Sequence, residues 1–235
     1  KMQKKILAVI GLRAGSKSVK DKNIKKLSGK PLFTYILKAA KKSKYINRIL
    51  ISTDSLKYKK IINKYGGDCS YNRPKKYSKD SSPEIYFIKD LLNRLKKKEK
   101  YIPDIVVRLL ATCPFQKTKD IDRAINLVLR KKYDSSVVIS KAKQHPEKAL
   151  RIVGKNKKYV TTYFGNSPLK VGSKLNRQQF SEAFFRSNVL VCKKSIIKKY
   201  NSLSSTKPGF IKIPYQIDID SLEDFKYAEY KIKRI

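Results

Sequence analysis

The stretch Arg13–Pro31, RAGSKSVKDKNIKKLSGKP, decides the fold of this chain. It follows the short apolar run Ile6–Leu12 and precedes a segment in which apolar residues recur with helical spacing. A strand, a polar loop that contains glycine and a helix, in that order, are how α/β folds form a phosphate-binding loop. We therefore predict an α/β fold with an anion site at the end of its first strand.

The loop carries side chains suited to several negative charges at once. Gly15 permits a close backbone approach and Ser16 adds a hydroxyl donor. Arg13, Lys17 and Lys22 can oppose the charges of a polyphosphate. The chain contains neither GxxxxGK[ST] nor GxGxxG, so a P-loop NTPase and a dinucleotide-dependent dehydrogenase lose their main support.

The charge of the chain is extreme, with 57 basic and 18 acidic residues and a formal net charge of +39. Such a charge favours nucleic acid, anionic membrane surfaces or acidic substrates as partners. The basic residues are spread along the whole length, however, whereas nucleic-acid modules concentrate them on one face or tail. We interpret the charge mainly as a bias of AT-rich coding, and a basic nucleic-acid-binding protein stays as a rival interpretation.

The length and the cysteine pattern limit the protein class. The chain has 235 residues, 40% of them hydrophobic, which is enough to bury a core. We therefore predict a single domain over residues 1–235. Cys69, Cys113 and Cys192 lie far apart without a CxxC pair, which argues against a disulfide framework or a zinc site and fits a reducing cytoplasm. The apolar run before Arg13 is too short for a signal peptide or a membrane span, and no later run approaches that length.

Apolar, β-branched runs recur along the chain next to segments with helical spacing. The predicted strands are Ile6–Ile10, Ile49–Ser52, Ile105–Leu110, Ser136–Ile139, Ala183–Val191 and Phe210–Ile219. The predicted helices are Leu32–Lys42, Ser55–Tyr65, Glu84–Lys98, Lys119–Lys131 and Ser221–Lys233. This alternation predicts a doubly wound α/β domain whose mostly parallel sheet binds ligands at the carboxyl ends of its strands. Residues 144–181 lack helical period and predict a β-rich arm.

The segment YQIDID places Asp218 and Asp220 on one face of a predicted strand end, with backbones roughly 6 to 7 Å apart. Two carboxylates in this arrangement can share a hard cation. Asp220, followed by Ser221, could instead cap the last helix.

The two ends of the chain together resemble the CMP-N-acylneuraminate (sialic acid) cytidylyltransferases, a family of CMP-sugar synthetases. The matching motifs are the GSK…KN loop and the IDID segment. The resemblance implies a nucleotide-diphospho-sugar transferase-like fold and the activation of a nine-carbon, sialic-acid-like 2-keto sugar acid by CTP. It also implies Mg²⁺ on Asp218 and Asp220, and catalytic roles for Arg13 and Lys22 beside these aspartates.

Central blocks extend this resemblance over most of the chain. Arg73-Pro74 and the segment 80–82 resemble the family's RP…SDT segment, which implies that Asn23, Arg73 and Ser82 lie near the nucleoside. Ser82 could alternatively belong to an ordinary loop with a helix cap.

The sugar site is implied by a later block. Residues 177–179 and 185–188 resemble the family's RQ…FRPNG segment. This implies a set of sugar-binding residues, among which the two arginines would grip the acid: Arg177, Gln178, Arg186 and Asn188. The family also forms homodimers, for which the predicted arm is suited.

Three positions depart from the family pattern. Leu110 replaces a sugar-contacting Gln, Gln116 replaces Arg, and Val189 replaces Gly. A leucine cannot form the hydrogen bonds of an amide, so these departures predict a changed sugar pocket. The alternatives left open are a CMP-Kdo-type synthetase and a non-catalytic homologue of the family.

Overall fold

A computed structural model describes residues 3–154, 159–164 and 181–234. These residues form two compact units. The first takes the described residues within Lys1–Val138, Ser187–Ile211 and Gln216–Ile235, and the second takes those within Ile139–Arg186 and Lys212–Tyr215. The sequence was predicted to form one domain with an arm.

A six-stranded sheet is the centre of the fold. The strands of the described residues are β1 (Ile6–Gly11), β2 (Lys26–Leu27), β3 (Lys30–Pro31), β4 (Arg48–Ser52), β5 (Ile105–Leu109), β6 (Ser135–Lys141), β7 (Leu150–Val153), β8 (Tyr159–Thr162), β9 (Phe184–Lys193) and β10 (Gly209–Ile213). The order in the large sheet is β10-β6-β9-β5-β1-β4, and β1 pairs in parallel with both β4 and β5. The predicted α/β class with a mostly parallel sheet is confirmed. Strand β9 runs antiparallel to β5, which the sequence pattern did not indicate.

Helices lie at or near every predicted position. The helices of the described residues are α1 (Phe33–Lys41), α2 (Leu56–Lys64), α3 (Glu84–Glu99), α4 (Thr118–Leu129), α5 (Lys194–Tyr200) and α6 (Leu222–Ile232). Helix α5 was not predicted, because its seven residues give too little of a helical period. No helix in the described ranges has both the length and the apolar composition that crossing a membrane requires.

Strand β1 is buried on both faces, as a central parallel strand should be. Leu7 and Val9 pack in a cluster with residues of α3 and α5. Ala8 and Ile10, whose side chains point to the other face, are equally inaccessible to solvent. Only the carboxyl end of the strand is left to face a ligand.

The segment with the two aspartates is not part of a strand. Strand β10 ends at Ile213, and residues 215–220 lie outside any strand or helix, which corrects the predicted strand 210–219. The predicted alternation is retained: Ile217 and Ile219 are buried, while both aspartates face outward.

The caps of two helices separate alternatives that the sequence left open. Ser221, and not Asp220, caps α6, in a capping box with Asp224. Pro83 precedes α3 without any side-chain cap, so Ser82 has no capping role. Helix capping therefore does not account for Asp220 or Ser82, the two residues that the sequence also assigned to a ligand site.

The second unit contains an antiparallel pair formed by β7 and β8. Apolar side chains on and beside this pair are exposed, among them Leu150, Ile152, Tyr163 and Phe164. Part of the predicted arm, residues 155–158 and 165–180, lies outside the described residues.

Candidate active site

A cavity of about 640 Å³ lies in the first unit, next to the carboxyl ends of β1 and β5. Among its walls are the loop after β1, the segment before α3 and the Asp218–Asp220 segment. Of the predicted nucleotide- and metal-binding residues, all but Gly15 line the cavity: Arg13, Ser16, Lys17, Lys22, Asn23, Arg73, Ser82, Asp218 and Asp220. Residues separated by some 200 positions in the chain therefore meet at one concave surface.

The loop after β1 is fixed by hydrogen bonds from both sides. The backbone N–H of Ala14 donates to Asp54 Oδ1 at 2.9 Å, and the Asn23 side chain donates to the carbonyl of Arg13 at 3.2 Å. Gly15 has φ +81°, in the left-handed region that favours glycine. Its role is to turn the loop, because it does not itself line the cavity.

Lys22 joins the two ends of the chain. Its side chain is largely buried, and its Nζ donates to the carbonyl of Ile219 at 2.7 Å and lies 3.1 Å from Asp220 Oδ1. The short 3₁₀ turn that begins at Lys22 follows Asp21, which is left-handed at φ 54°. The Asp21 carboxylate accepts hydrogen bonds from Lys57 and Tyr58, which lower its pKa and hold the turn against α2.

The Asp218 carboxylate is destabilised in its charged form. Loss of water around it raises its pKa, and the negative charge of Asp220 adds to this effect. A hydrogen bond with Thr112 and nearby positive charges oppose the shift. No group of three or more Asp, Glu, His or Cys suited to a metal occurs in the described part of the chain. The aspartate pair can supply only part of a metal's coordination shell, and Mg²⁺ usually takes the rest from water and phosphate oxygens.

Arg73 is held rigidly at another wall. Its Nη2 donates to the carbonyl of Ser52 at 2.9 Å, and its guanidinium carbon lies 3.8 Å from the centre of the Phe87 ring. Burial lowers the pKa of Arg73 to about 10, so the residue stays charged at neutral pH. A Cβ on Gly11 would lie 2.9 Å from Arg73 Nη2, so the glycine at the end of β1 makes room for this arginine.

Asp80 holds the two outer cations of the loop. It forms ion pairs with Arg13 and with Lys17, the latter at 2.8 Å, and hydrogen bonds from both lower its pKa. Asp80 is the first residue of the segment 80–82, and neither ion pair was predicted from the sequence. Its carboxylate offsets the charge of both cations.

Arg108 and Glu84 also line the cavity, although the sequence analysis assigned neither to the site. Arg108 lies within β5 and is only 5% exposed. Its Nε is 3.1 Å from Glu84 Oε1, and its Nη1 donates to the carbonyl of Asn188 at 3.2 Å. The available signal was an arginine inside the apolar run IVVRLL, which is unusual for a buried central strand.

Of the predicted sugar-binding residues, the two that the structure describes do not line this cavity. Asn188 is buried, and its amide donates to Cys113 Sγ instead of lining the cavity. Arg186 belongs to the second unit and is exposed. Arg177 and Gln178 lie outside the described residues. The assignment of all four residues to the sugar stays a prediction.

The departures from the family pattern have distinct surroundings. Leu110 lines the cavity, while Val189 is fully buried in β9. Gln116 is buried as well, and its Oε1 has no hydrogen-bond partner. Of the three, Leu110 alone stands where a ligand could meet it.

The chain is similar to known cytidylyltransferases and CMP-sugar synthetases. The family model described as cytidylyltransferase matches residues 7–230. Post-translational flagellin modification protein B of Campylobacter coli is 29% identical over 97% of this chain and 95% of its own length. CMP-N,N'-diacetyllegionaminic acid synthase of Campylobacter jejuni is 26% identical over 97% of this chain and 94% of its own.

A solved structure of CMP:2-keto-3-deoxy-manno-octonic acid synthetase complexed with CTP superposes with a TM-score of 0.71 at 12% identity, over 98% of this chain and 99% of that one. This likeness confirms the nucleotide-diphospho-sugar transferase-like fold. The chain is a CTP-dependent nucleotidyltransferase: it belongs to the cytidylyltransferase family, with the CMP-sialic-acid-type synthetases.

Proposed function

We propose that the protein transfers CMP from CTP to a nine-carbon, sialic-acid-like 2-keto sugar acid and releases pyrophosphate. The observation that carries this proposal is the contact of Lys22 with Asp220, which joins the cationic loop to the aspartate pair in one cavity. A triphosphate with its metal is neutralised by cationic side chains on the phosphates and by carboxylates on the metal, and this cavity has both kinds of group.

In the proposed reaction the anomeric hydroxyl oxygen of the sugar attacks the α-phosphorus of CTP. A bond between that oxygen and the α-phosphorus forms, and the bond from the α-phosphorus to the bridging oxygen breaks. Pyrophosphate leaves with the bridging oxygen and its electron pair, and the hydroxyl proton passes to a carboxylate of the site or to solvent. Arg13, Ser16, Lys17 and Lys22 hold the triphosphate, and Lys22 offsets the charge that grows on the leaving pyrophosphate. The contribution of the protein is chiefly positioning and charge neutralisation.

Mg²⁺ is proposed to bind at Asp218 and Asp220. The oxygen atoms of these carboxylates are the hard ligands that Mg²⁺ prefers, and the metal neutralises triphosphate charge when bound. The raised pKa of Asp218, caused by partial loss of water in the cavity wall and by the charge of Asp220, supports this assignment, since a bound cation would offset both effects.

The nucleoside is proposed to lie against Asn23, Arg73 and Ser82. All three line the cavity on the described part of the chain, and Arg73 is fixed by Ser52 and Phe87 before any ligand arrives. Preorganised contacts of this kind cost little ordering on binding.

The acidic sugar is proposed to contact Arg177, Gln178, Arg186 and Asn188. Support for the nine-carbon class comes from the Campylobacter jejuni relative, which is named for diacetyllegionaminic acid. A CMP-Kdo-type activity ranks second, because the similarity to that synthetase is one of fold at 12% identity.

We further propose a homodimer in the cytoplasm. The exposed apolar side chains of the second unit, such as Ile152 and Phe164, would be covered by a second copy. The three free cysteines and the use of CTP suit a reducing compartment. Light scattering after size exclusion tests the dimer.

The activity is tested by pyrophosphate release from CTP and Mg²⁺ with a panel of N-acetylneuraminic, legionaminic, pseudaminic and Kdo acids, with ATP, GTP and UTP as controls. Release with CTP and one of the nine-carbon acids supports the proposal, and release with Kdo acid alone favours the second candidate. CTP binding without release across the panel favours a non-catalytic homologue. Tight, salt-dependent binding of arbitrary DNA without any release would favour the nucleic-acid interpretation.

A further inference from the structure

The proposed reaction does not explain why an arginine lies inside the central strand β5. Arg108 pairs in register with Val9 on one side and with Leu190 on the other, both buried apolar residues. Placing a charge among such neighbours is costly unless it is paired and hydrogen-bonded. A leucine there would fill the strand without this cost, so the arginine calls for a function in the cavity that it lines.

The partner of Arg108 is accessible to a ligand. Glu84, at the start of α3, lies 3.1 Å from Arg108 Nε and has a side chain that is 40% exposed, against 6% for the arginine. Both residues line the cavity. The carbonyl of Asn188 accepts from Arg108 Nη1 and fixes the guanidinium from the neighbouring strand.

The charge around the pair favours an uncharged ligand group. Glu84 balances the charge of Arg108, and the field of Arg108 also reaches Asp218, whose pKa it lowers against the larger effect of burial. A carboxylate or phosphate at this position would approach Glu84 and Asp218, so it would be repelled. A hydroxyl or acylamino group can instead donate to Glu84 and accept from Arg108.

The position of the pair relates it to the sugar. Arg108 lies in β5, Leu110 follows directly after the end of that strand, and both side chains line the cavity. Leu110 stands where the family has a glutamine that contacts the sugar. An amide provides one donor and one acceptor group, and the Arg108–Glu84 pair provides both functions with two side chains.

We propose that Arg108 and Glu84 form the element that selects the sugar, by binding an uncharged hydrogen-bonding substituent, a hydroxyl or an acylamino group, of the acidic sugar. This inference rests on the proposed function. The pair replaces the glutamine that Leu110 has removed, and Leu110 supplies an apolar surface beside it.

The test compares Glu84→Gln and Arg108→Lys with the wild type in the pyrophosphate assay. The matched control is Asp90→Asn, which removes a carboxylate from the same helix that also pairs with an arginine, Arg94, at 2.8 Å. We expect Glu84→Gln to raise KM for the active sugar acid about 10- to 100-fold, as for a lost hydrogen bond to a charged group, with KM for CTP nearly unchanged. We also expect it to narrow the preference of the wild type among panel acids that differ in hydroxyl and acylamino groups.

Thermal unfolding of each variant checks that it is folded. If Arg108→Lys does not fold, the KM values of Glu84→Gln alone test the proposal. A rise in KM for CTP alone would assign the pair to the nucleotide and overturn the proposal. Unchanged KM values for both substrates in folded Glu84→Gln would reduce the pair to a structural role and overturn it equally.

A binding measurement separates this inference from the proposed function. If the wild type releases no pyrophosphate, the stabilisation against heat by each panel acid is measured without catalysis. Stabilisation of the wild type that Glu84→Gln loses and Asp90→Asn keeps would support the sugar-selecting pair while the proposed reaction fails. Absence of stabilisation in the wild type would overturn both.

Discussion

Replacement of Lys22 by alanine tests the centre of the proposed site. The structure makes two separate demands on this side chain. Its charge faces the cavity where a pyrophosphate would leave, and its Nζ satisfies the carbonyl of Ile219 at 2.7 Å. The substitution therefore affects both turnover and stability, and the two effects can be worked out independently.

The effect on turnover follows from charge. Two opposite unit charges about 4 Å apart interact by about 4 kcal/mol at the effective dielectric constant near a protein surface. In other enzymes, removal of a single preorganised donor to a developing anion lowers the rate about 10²- to 10³-fold, which corresponds to about 3 to 4 kcal/mol and is therefore equal to or slightly below the Coulomb value. We therefore expect Lys22→Ala to lower turnover by roughly 10²-fold or more.

The effect on stability follows from the two contacts of Nζ. An unsatisfied buried carbonyl at Ile219 costs about 1 to 3 kcal/mol. The lost ion pair adds little, because the Asp220 side chain is 78% exposed. For a chain of this size the melting temperature should fall by roughly 2 to 12 °C, and turnover is measured at a temperature below the measured melting point of the variant.

The assay is pyrophosphate release at saturating CTP and sugar acid, with melting followed by circular dichroism. The matched control is Lys20→Ala, which removes an exposed lysine from the same loop that does not line the cavity. Folded Lys22→Ala with turnover within about threefold of the wild type would refute the mechanistic role of Lys22.

Three further predictions concern other walls of the cavity. Asp218→Asn should abolish Mg²⁺-dependent pyrophosphate release. Because the pKa of Asp218 is raised in the folded state, its carboxylate lowers the stability of the wild type as pH rises, so in EDTA the variant should melt at a higher temperature than the wild type at pH 7. This difference in melting temperature should disappear towards about pH 4, and equal melting temperatures at every pH would contradict a raised pKa. Gly11→Ala, whose Cβ would lie 2.9 Å from Arg73, should raise KM for CTP. Gly29→Ala has nothing within 4 Å of its Cβ but strains a backbone at φ +82°, so it should lower the melting temperature and leave KM for CTP unchanged. An unchanged KM in Gly11→Ala would show that Arg73 moves freely or does not contact the nucleotide. Asp80→Asn should lower KM for CTP a few-fold, since it releases two loop cations, and a higher KM would show that the carboxylate supports binding.

The features that the sequence predicted are those whose causes are local. Helix α3 is visible from its period, and the loop after β1 from its glycine and basic residues between a strand and a helix. The alternation of Ile217 and Ile219 with two aspartates predicted a common face even though no strand forms there. The alternation of buried and exposed side chains does not require hydrogen bonds to a neighbouring strand. The prediction of a common face for the two aspartates is therefore retained, although the predicted strand was wrong.

The features that it did not predict depend on distant partners. The antiparallel placement of β9 beside β5 is decided by packing and leaves no trace in either strand. The pairs of Asp80 with Arg13 and of Glu84 with Arg108 join segments whose meeting is fixed by the whole fold. Lys22 was assigned a phosphate role from its loop, but its contact with Asp220 spans 198 positions and could only be seen in the structure.

In a chain with 57 basic residues, it is the carboxylates that identify the site. Only 18 residues are acidic, yet four of them line one cavity: Asp80, Glu84, Asp218 and Asp220. Three of the four are paired with cavity cations. A surface that merely attracted polyanions would gain nothing from such partners, because each one offsets a charge that could bind phosphate. Carboxylates among the cations suit a ligand that brings its own cation, such as the proposed metal–triphosphate complex, better than they suit a nucleic-acid backbone alone.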